Sequence, residues 1–225
     1  HKGYIFNSEF NLRCEIHKSL SYGLDVTQEK AYFGTQAGKT IIFDLKDDKK
    51  QTIQIHNQGI DGLKCQDTLL YTASNDSTLK ITDLRTEKQI RTIQNDSDIN
   101  SVDVKDHFFI FGDNNGILYH CDLRNEKIKE EIKWHNSAIN SVYFATDSIF
   151  ASVSDEQVAL FDTNLVEEEG WTAHHWLWFV HRGQKFYKEI CVLEDKWAVT
   201  SADGIAIFKP VEALDDDLEE SESEE

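Results

Sequence analysis

Short apolar runs rich in β-branched and aromatic residues recur along most of this chain, separated by turns of Gly, Asn, Asp and Ser. Four pairs of runs align: Ala31 to Thr35 with Ile41 to Asp44, Leu70 to Ser74 with Leu79 to Asp83, Phe109 to Asp113 with Leu118 to Asp122, and Ile149 to Ser154 with Val158 to Asp162. Their closing aspartates lie 39, 39 and 40 residues apart, and a fifth copy, Trp197 to Asp203 with Ile205 to Lys209, closes 47 residues further on. Runs this short, without a helical period, predict strands. Repetition at such a period predicts one supersecondary unit used several times over.

Four strands in about 40 residues make the blade of a propeller, and at this point the sequence resembles the WD-repeat family. The resemblance covers nearly the whole chain and implies an all-β β-propeller over residues 1–210, followed by a disordered acidic tail over 211–225. Gly3 to Glu9 matches Gly116 to Asp122, which makes it a third strand, with Leu12 to Ile16 as the fourth. Four complete units run from Ser19 to about Val180, and Phe186 to Lys209 supplies three strands, for 21 in all, or about five and a quarter blades. A seven-bladed ring, the common family size, needs seven more. The expectation is that about 75–100 residues carrying them precede His1, in keeping with a chain that contains no Met. A five-bladed ring with an irregular closing blade is the alternative that the same count leaves open.

The resemblance also implies a buried hydrogen-bonded tetrad of His, Ser or Thr, Asp and Trp in each blade. His56, with Thr72 or Ser74, and Asp76 match three of its places, and His135, Ser152 and Asp155 match three in a later repeat. Thr82 and Phe161 stand at the Trp places. The repeats end in Phe-Asp, Thr-Asp, Cys-Asp, Phe-Asp and Phe-Lys, never Trp-Asp. The blades are therefore expected to be locked by packing more than by full tetrads.

Composition narrows the function. At 225 residues and 40% hydrophobic, the chain is long enough to bury a sizeable core. Its 41 acidic against 23 basic residues give a net charge of −18, which disfavours direct nucleic-acid binding and suits a basic partner or plain solubility. Nine of the acidic residues, and no basic one, lie from Val211 onward. Such a tail cannot bury enough apolar area to fold. Ser221, with Glu224 three residues on, resembles a site for an acidophilic kinase, which would deepen the charge. No segment is long and apolar enough to span a membrane, and no signal peptide is expected.

Cys14, Cys65, Cys121 and Cys191 are isolated and read as reduced thiols of an intracellular protein. His174, His175 and His181 lack the Cys or carboxylate neighbours of a metal site, so neither a metal nor a cofactor is expected. Gly34, Gly38, Gly59 and Gly62 read as turn or strand-end glycines, with no phosphate-cradling loop. Arg85 and Arg124, each in an Asp-Leu-Arg triplet, read as local partners of neighbouring carboxylates. Glu167 to Arg182 is irregular and holds three of the five tryptophans. Either it fills the core, or Trp171, Trp176, Trp178 and Arg182 beside Glu167, Glu168 and Glu169 form a docking patch for an Arg- or Lys-bearing peptide.

These observations point to a non-catalytic scaffold or adaptor that docks protein partners within a multiprotein complex, the chain itself being a monomer there. The runner-up is a nuclear chaperone or reader of basic proteins such as histones or ribosomal proteins. A propeller hydrolase lacks a convergent catalytic set. The acidic Ser-containing tail resembles those of some nuclear family members, which favours the nucleus over the cytoplasm.

Overall fold

The computed structural model describes residues 3–6, 12–16, 19–125, 128–167, 170 and 172–210. Among them the secondary structure is all β: 21 strands in six antiparallel sheets, divided as two, four times four, and three. The first sheet pairs β1 (Gly3–Phe6) with β2 (Leu12–Ile16). The second runs β3 (Leu20–Val26), β4 (Lys30–Thr35), β5 (Lys39–Asp44) and β6 (Lys50–Gln54). The third is β7 (Ile60–Gln66), β8 (Leu69–Ser74), β9 (Thr78–Asp83) and β10 (Lys88–Gln94). The fourth is β11 (Ile99–Lys105), β12 (Phe108–Asp113), β13 (Ile117–Asp122) and β14 (Ile128–Lys133). The fifth is β15 (Ile139–Phe144), β16 (Ile149–Ser154), β17 (Val158–Asp162) and β18 (Leu177–His181), and the sixth is β19 (Ile190–Leu193), β20 (Lys196–Ser201) and β21 (Gly204–Phe208). Repeated four-stranded units of this kind fit the blades of a β-propeller.

The sixth sheet opens at Ile190 rather than at Phe186. Phe186 has φ 55°, which takes it out of the extended region, yet Lys188 N–H still donates to Thr200 O at 2.9 Å.

Each sheet meets its neighbours face to face, and the two-residue period of a strand sends alternate side chains into two different cores. Leu70 of β8 packs with Tyr32 and Ile42 of the second sheet, while Tyr71 and Ala73 pack with Phe109 and Phe111 of the fourth. In β12 the next residue, Ile110, turns forward to Phe150 of the fifth sheet. Burial on both faces explains why the second strand of each complete unit reads as an almost unbroken apolar run. The outer strands β6 and β10 are largely exposed and rich in Lys and Gln, which also blunts an edge against unwanted pairing.

The first strands of the complete units and of the sixth sheet, β3, β7, β11, β15 and β19, pack side by side in chain order and together line a cavity of about 170 Å³. Close approach between sheets sets a size limit at one position of β4 and of β12. Gly34, Ala73, Gly112 and Val153 occupy the same place in successive second strands. A Cβ on Gly34 would sit 2.5 Å from Ile60 O, and one on Gly112 would sit 2.3 Å from the Ile139 Cγ2. Gly34, next to the end of β4, and Gly62, inside β7 where a Cβ would sit 2.8 Å from Ser101 Cα, are packing glycines, and Gly62 is not the turn or strand-end residue expected from sequence. Ile60 and Ile139 are fully buried and cannot retreat. Gly112→Ala is expected to lower unfolding free energy by about 1–3 kcal/mol through overpacking. Urea denaturation checks this, and an unchanged midpoint would refute the close-approach account.

Candidate functional site

The site grows out of a repeated irregularity. In the four complete units the pairing of the innermost strand with its neighbour shifts register just after the strand begins, between Leu20 and Leu24, Ile60 and Gly62, Ile99 and Ser101, and Ile139 and Ser141. A bulge leaves its extra residue unpaired and re-aims the side chain. The bulge residues Tyr22, Asp61, Asn100 and Asn140 therefore gather at one mouth of the central cavity, around a space of about 340 Å³ that Lys188 and Glu189 complete. Tyr22 is 84% exposed.

The rim is fixed by side chains that reach one repeat ahead. Asn100 Nδ2 donates to Ile139 O at 3.2 Å, and Asn140 Nδ2 donates to Tyr187 O at 2.8 Å. Deeper in the cavity, Asp25 accepts from Cys65 N–H at 2.8 Å, Ser101 Oγ from Val142 N–H at 2.9 Å, and Asp103 from Phe144 N–H at 2.8 Å. Lys64 stands between two of these carboxylates, 3.3 Å from Asp103 and 3.7 Å from Asp25. Burial alone would lower the Lys64 pKa, but Asp103 and Asp25 outweigh it and the net direction is upward. Burial raises the carboxyl of Asp103 even against Lys64 and its backbone donors. At the rim, burial raises Glu189, while a 3.1 Å bond from Ser141 Oγ opposes it.

The tetrad candidates divide into two networks. In the third sheet, His56 Nδ1 lies 3.1 Å from both oxygens of Asp76, and His56 Nε2 lies 2.8 Å from Thr72 Oγ1. A carboxylate only accepts, so Asp76 places the ring proton on Nδ1. Asp76 also accepts from Asn57 N–H and from Thr78 N–H and Oγ1. Burial pushes its pKa up, but these donors and His56 bring the net direction down. Ser74 takes no part: its Oγ accepts from Asp76 N–H at 3.1 Å and donates to Gln58 O at 3.4 Å, closing the turn instead. Thr82, at the Trp place, is buried with a hydroxyl that has no hydrogen-bond partner among the described residues.

The second network departs from expectation. His135 Nε2 is 2.6 Å from Ser152 Oγ, but the Nδ1 side is met by Gln157 Nε2 at 3.4 Å, and Asp155 is not its partner. Lys188 Nζ and Asn140 Nδ2 each bond Asp155 Oδ1 at 2.8 Å, and a nearby ammonium draws a carboxylate more strongly than a neutral imidazole does. Gln157 donates to His135 Nδ1, which leaves the ring proton on Nε2, and Arg182 Nε holds the Gln157 Oε1 at 2.8 Å. Without a carboxylate beside it, buried His135 has its pKa lowered by desolvation to about 4.

Of the two readings of the Trp-rich segment, core filling holds for Trp176, and part of the docking patch lies outside the described residues. Trp176 is 8% exposed and packs in the core with Phe150 and Phe161, so it is unavailable to a partner. Trp178 is half-buried against the core between the fifth and sixth sheets, and Arg182 is exposed with its Nε donating to Gln157. Glu167 is exposed, and Glu168, Glu169, Trp171 and Ser221 lie outside the described residues. Arg85 and Arg124 fold back on Asp83 and Asp122 as the sequence suggested. Cys65 and Cys121 are buried and Cys191 is exposed. The rim residues were missed, although Asp61, Asn100 and Asn140 each follow an isoleucine at the repeat spacing, a signal present in the sequence.

No family model and no curated protein matches this chain. Among solved structures it is similar to the crystal structure of the computationally designed Ika8 protein, with a TM-score of 0.70 at 16% identity over 83% of this chain. The match spans 57% of that chain, a little over half its length. At such identity the likeness speaks for the fold alone. It is one of 1421 similar solved chains, so the architecture is common and selects no activity.

Two outcomes test the networks. With a folded pKa near 4 against about 6.5 unfolded, His135 takes its proton first in the unfolded chain. Its contribution is therefore fully present above about pH 6.5 and is lost as pH falls toward 4. His135→Asn is expected to shrink the loss of stability between pH 7 and pH 4.5 by about 2 kcal/mol, read by urea denaturation at each pH. Thr82→Val removes a buried hydroxyl without a partner and is expected to raise stability by about 1 kcal/mol in the same assay, whereas a loss would mean that the hydroxyl is satisfied.

Proposed function

We propose that this chain belongs to a β-propeller of WD-repeat type, a seven-bladed ring in which further strands complete the two-stranded and three-stranded sheets, and that it serves as a non-catalytic scaffold docking protein partners. The observation that carries the reading is the rim: bulge side chains from successive innermost strands converge there, Asn100 is anchored to the next strand and Asn140 to Tyr187 O just before β19. A surface held in this way binds without first paying to order itself.

A second reading, a chaperone or reader of basic proteins such as histones or ribosomal proteins in the nucleus, is favoured by Asp61 and Glu189 at the same mouth and by nine acidic residues from Val211 onward. Ser221 phosphorylation would strengthen it. The two readings part on salt, because exposed charge pairs weaken as the Debye length shortens. Affinity purification of the full-length protein from its own cells, at low and high salt, is expected to recover a defined partner that survives high salt. Recovery only of basic proteins, lost at high salt and on deletion of residues 212–225, would establish the second reading in its place.

A further inference from the structure

The mouth of the cavity does not end at the rim. A second space of about 410 Å³ adjoins it on the same face, between the second and third sheets, and the two share Tyr22 and Asp61 as walls. Each lies within the range of about 300–1,000 Å³ typical of ligand sites. The second space is lined by side-chain amides: Gln36, Asn57, Gln58 and Asn75. Among the described residues these four amides make no hydrogen bond through their side chains, in contrast to Asn100 and Asn140, which are spent on holding the rim. An Asn or Gln amide both donates and accepts, as a peptide main chain does.

At the junction the chemistry changes. Tyr22 presents an exposed aromatic ring, Asp61 presents a carboxylate of which one oxygen is bonded by Ser21, and Glu189 stands across the mouth. Lys188, the one cation in that wall, is neutralised by Asp155 at 2.8 Å. An aromatic face beside two carboxylates is complementary to an ammonium or guanidinium group.

Resting on the docking reading above, we infer that this groove takes an extended peptide segment of a protein partner, with its main chain along the free amides of Gln36, Asn57, Gln58 and Asn75 and a Lys or Arg side chain at Tyr22, Asp61 and Glu189. The cation would also offset the burial that raises the Glu189 carboxyl. Recognition of this kind reads one basic position strongly and its neighbours through backbone alone, so it tolerates many sequences around that position.

The probe is a blocked pentapeptide, Ala-Ala-Arg-Ala-Ala, titrated into the isotopically labelled full chain and followed by NMR. The side-chain amide signals of the four Asn and Gln residues are expected to shift, and Tyr22→Ala and Asp61→Asn are each expected to weaken binding by about three-fold or more. Tyr22 is exposed and Asp61→Asn preserves shape, so both variants should melt as the parent does, which a thermal scan checks. The inference is overturned if a Glu-centred pentapeptide binds equally, if neither variant weakens binding, or if blocked arginine alone binds as tightly as the pentapeptide. A partner captured from cells and retained by both variants would sink the groove and leave the docking reading standing. Absence of any captured partner would sink the docking reading itself, whatever the pentapeptide does.

Discussion

Every innermost strand of this fold has one edge that no ladder covers. β3, β7, β11, β15 and β19 lie side by side around the cavity, yet each pairs only within its own sheet. Backbone groups left there without partners would cost about as much as lost hydrogen bonds. Asp25, Ser101, Asp103 and Asn100 meet that need, each bonding a backbone group of the next innermost strand, and Asn140 bonds Tyr187 O in the segment leading into β19. The small or acidic residues of these strands are thus the couplings between sheets, and the rim inherits its rigidity from them.

The same constraint explains the charge inside the cavity. A carboxylate that accepts a neighbouring N–H is well placed but half-desolvated, and Asp103 shows the consequence in its raised pKa. Lys64 between Asp25 and Asp103 ties three successive sheets together with a single cation. Such buried ion pairs add little net stability, because desolvation consumes most of the attraction.

Away from the cavity the sheets are held by two-face packing, and the polar networks differ from repeat to repeat. The third sheet keeps its His-Thr-Asp chain, while the fifth substitutes Gln157 for the carboxylate and anchors it from Arg182. The substitution frees Asp155 for Lys188 and Asn140, which join the fifth sheet to the segment leading into the sixth. A local network is exchanged for one between sheets.

The chain by itself determined the strands, their number in each unit and the faces they bury, because a two-residue period and turn residues at a 39- to 40-residue spacing are local properties. It also marked His56, Thr72 and Asp76, whose partners lie within one repeat. What it did not decide was anything that depends on a neighbouring repeat. The sequence left Trp176 open between core and docking patch, and the fold makes it core, since only the packed sheets show which side of the β17–β18 connection is covered. Asp155 went to Lys188, more than 30 residues away, for the same reason. The rim of Tyr22, Asp61 and Asn140 exists only because bulges in separate sheets turn toward one cavity mouth, and convergence of that kind is a property of the tertiary structure.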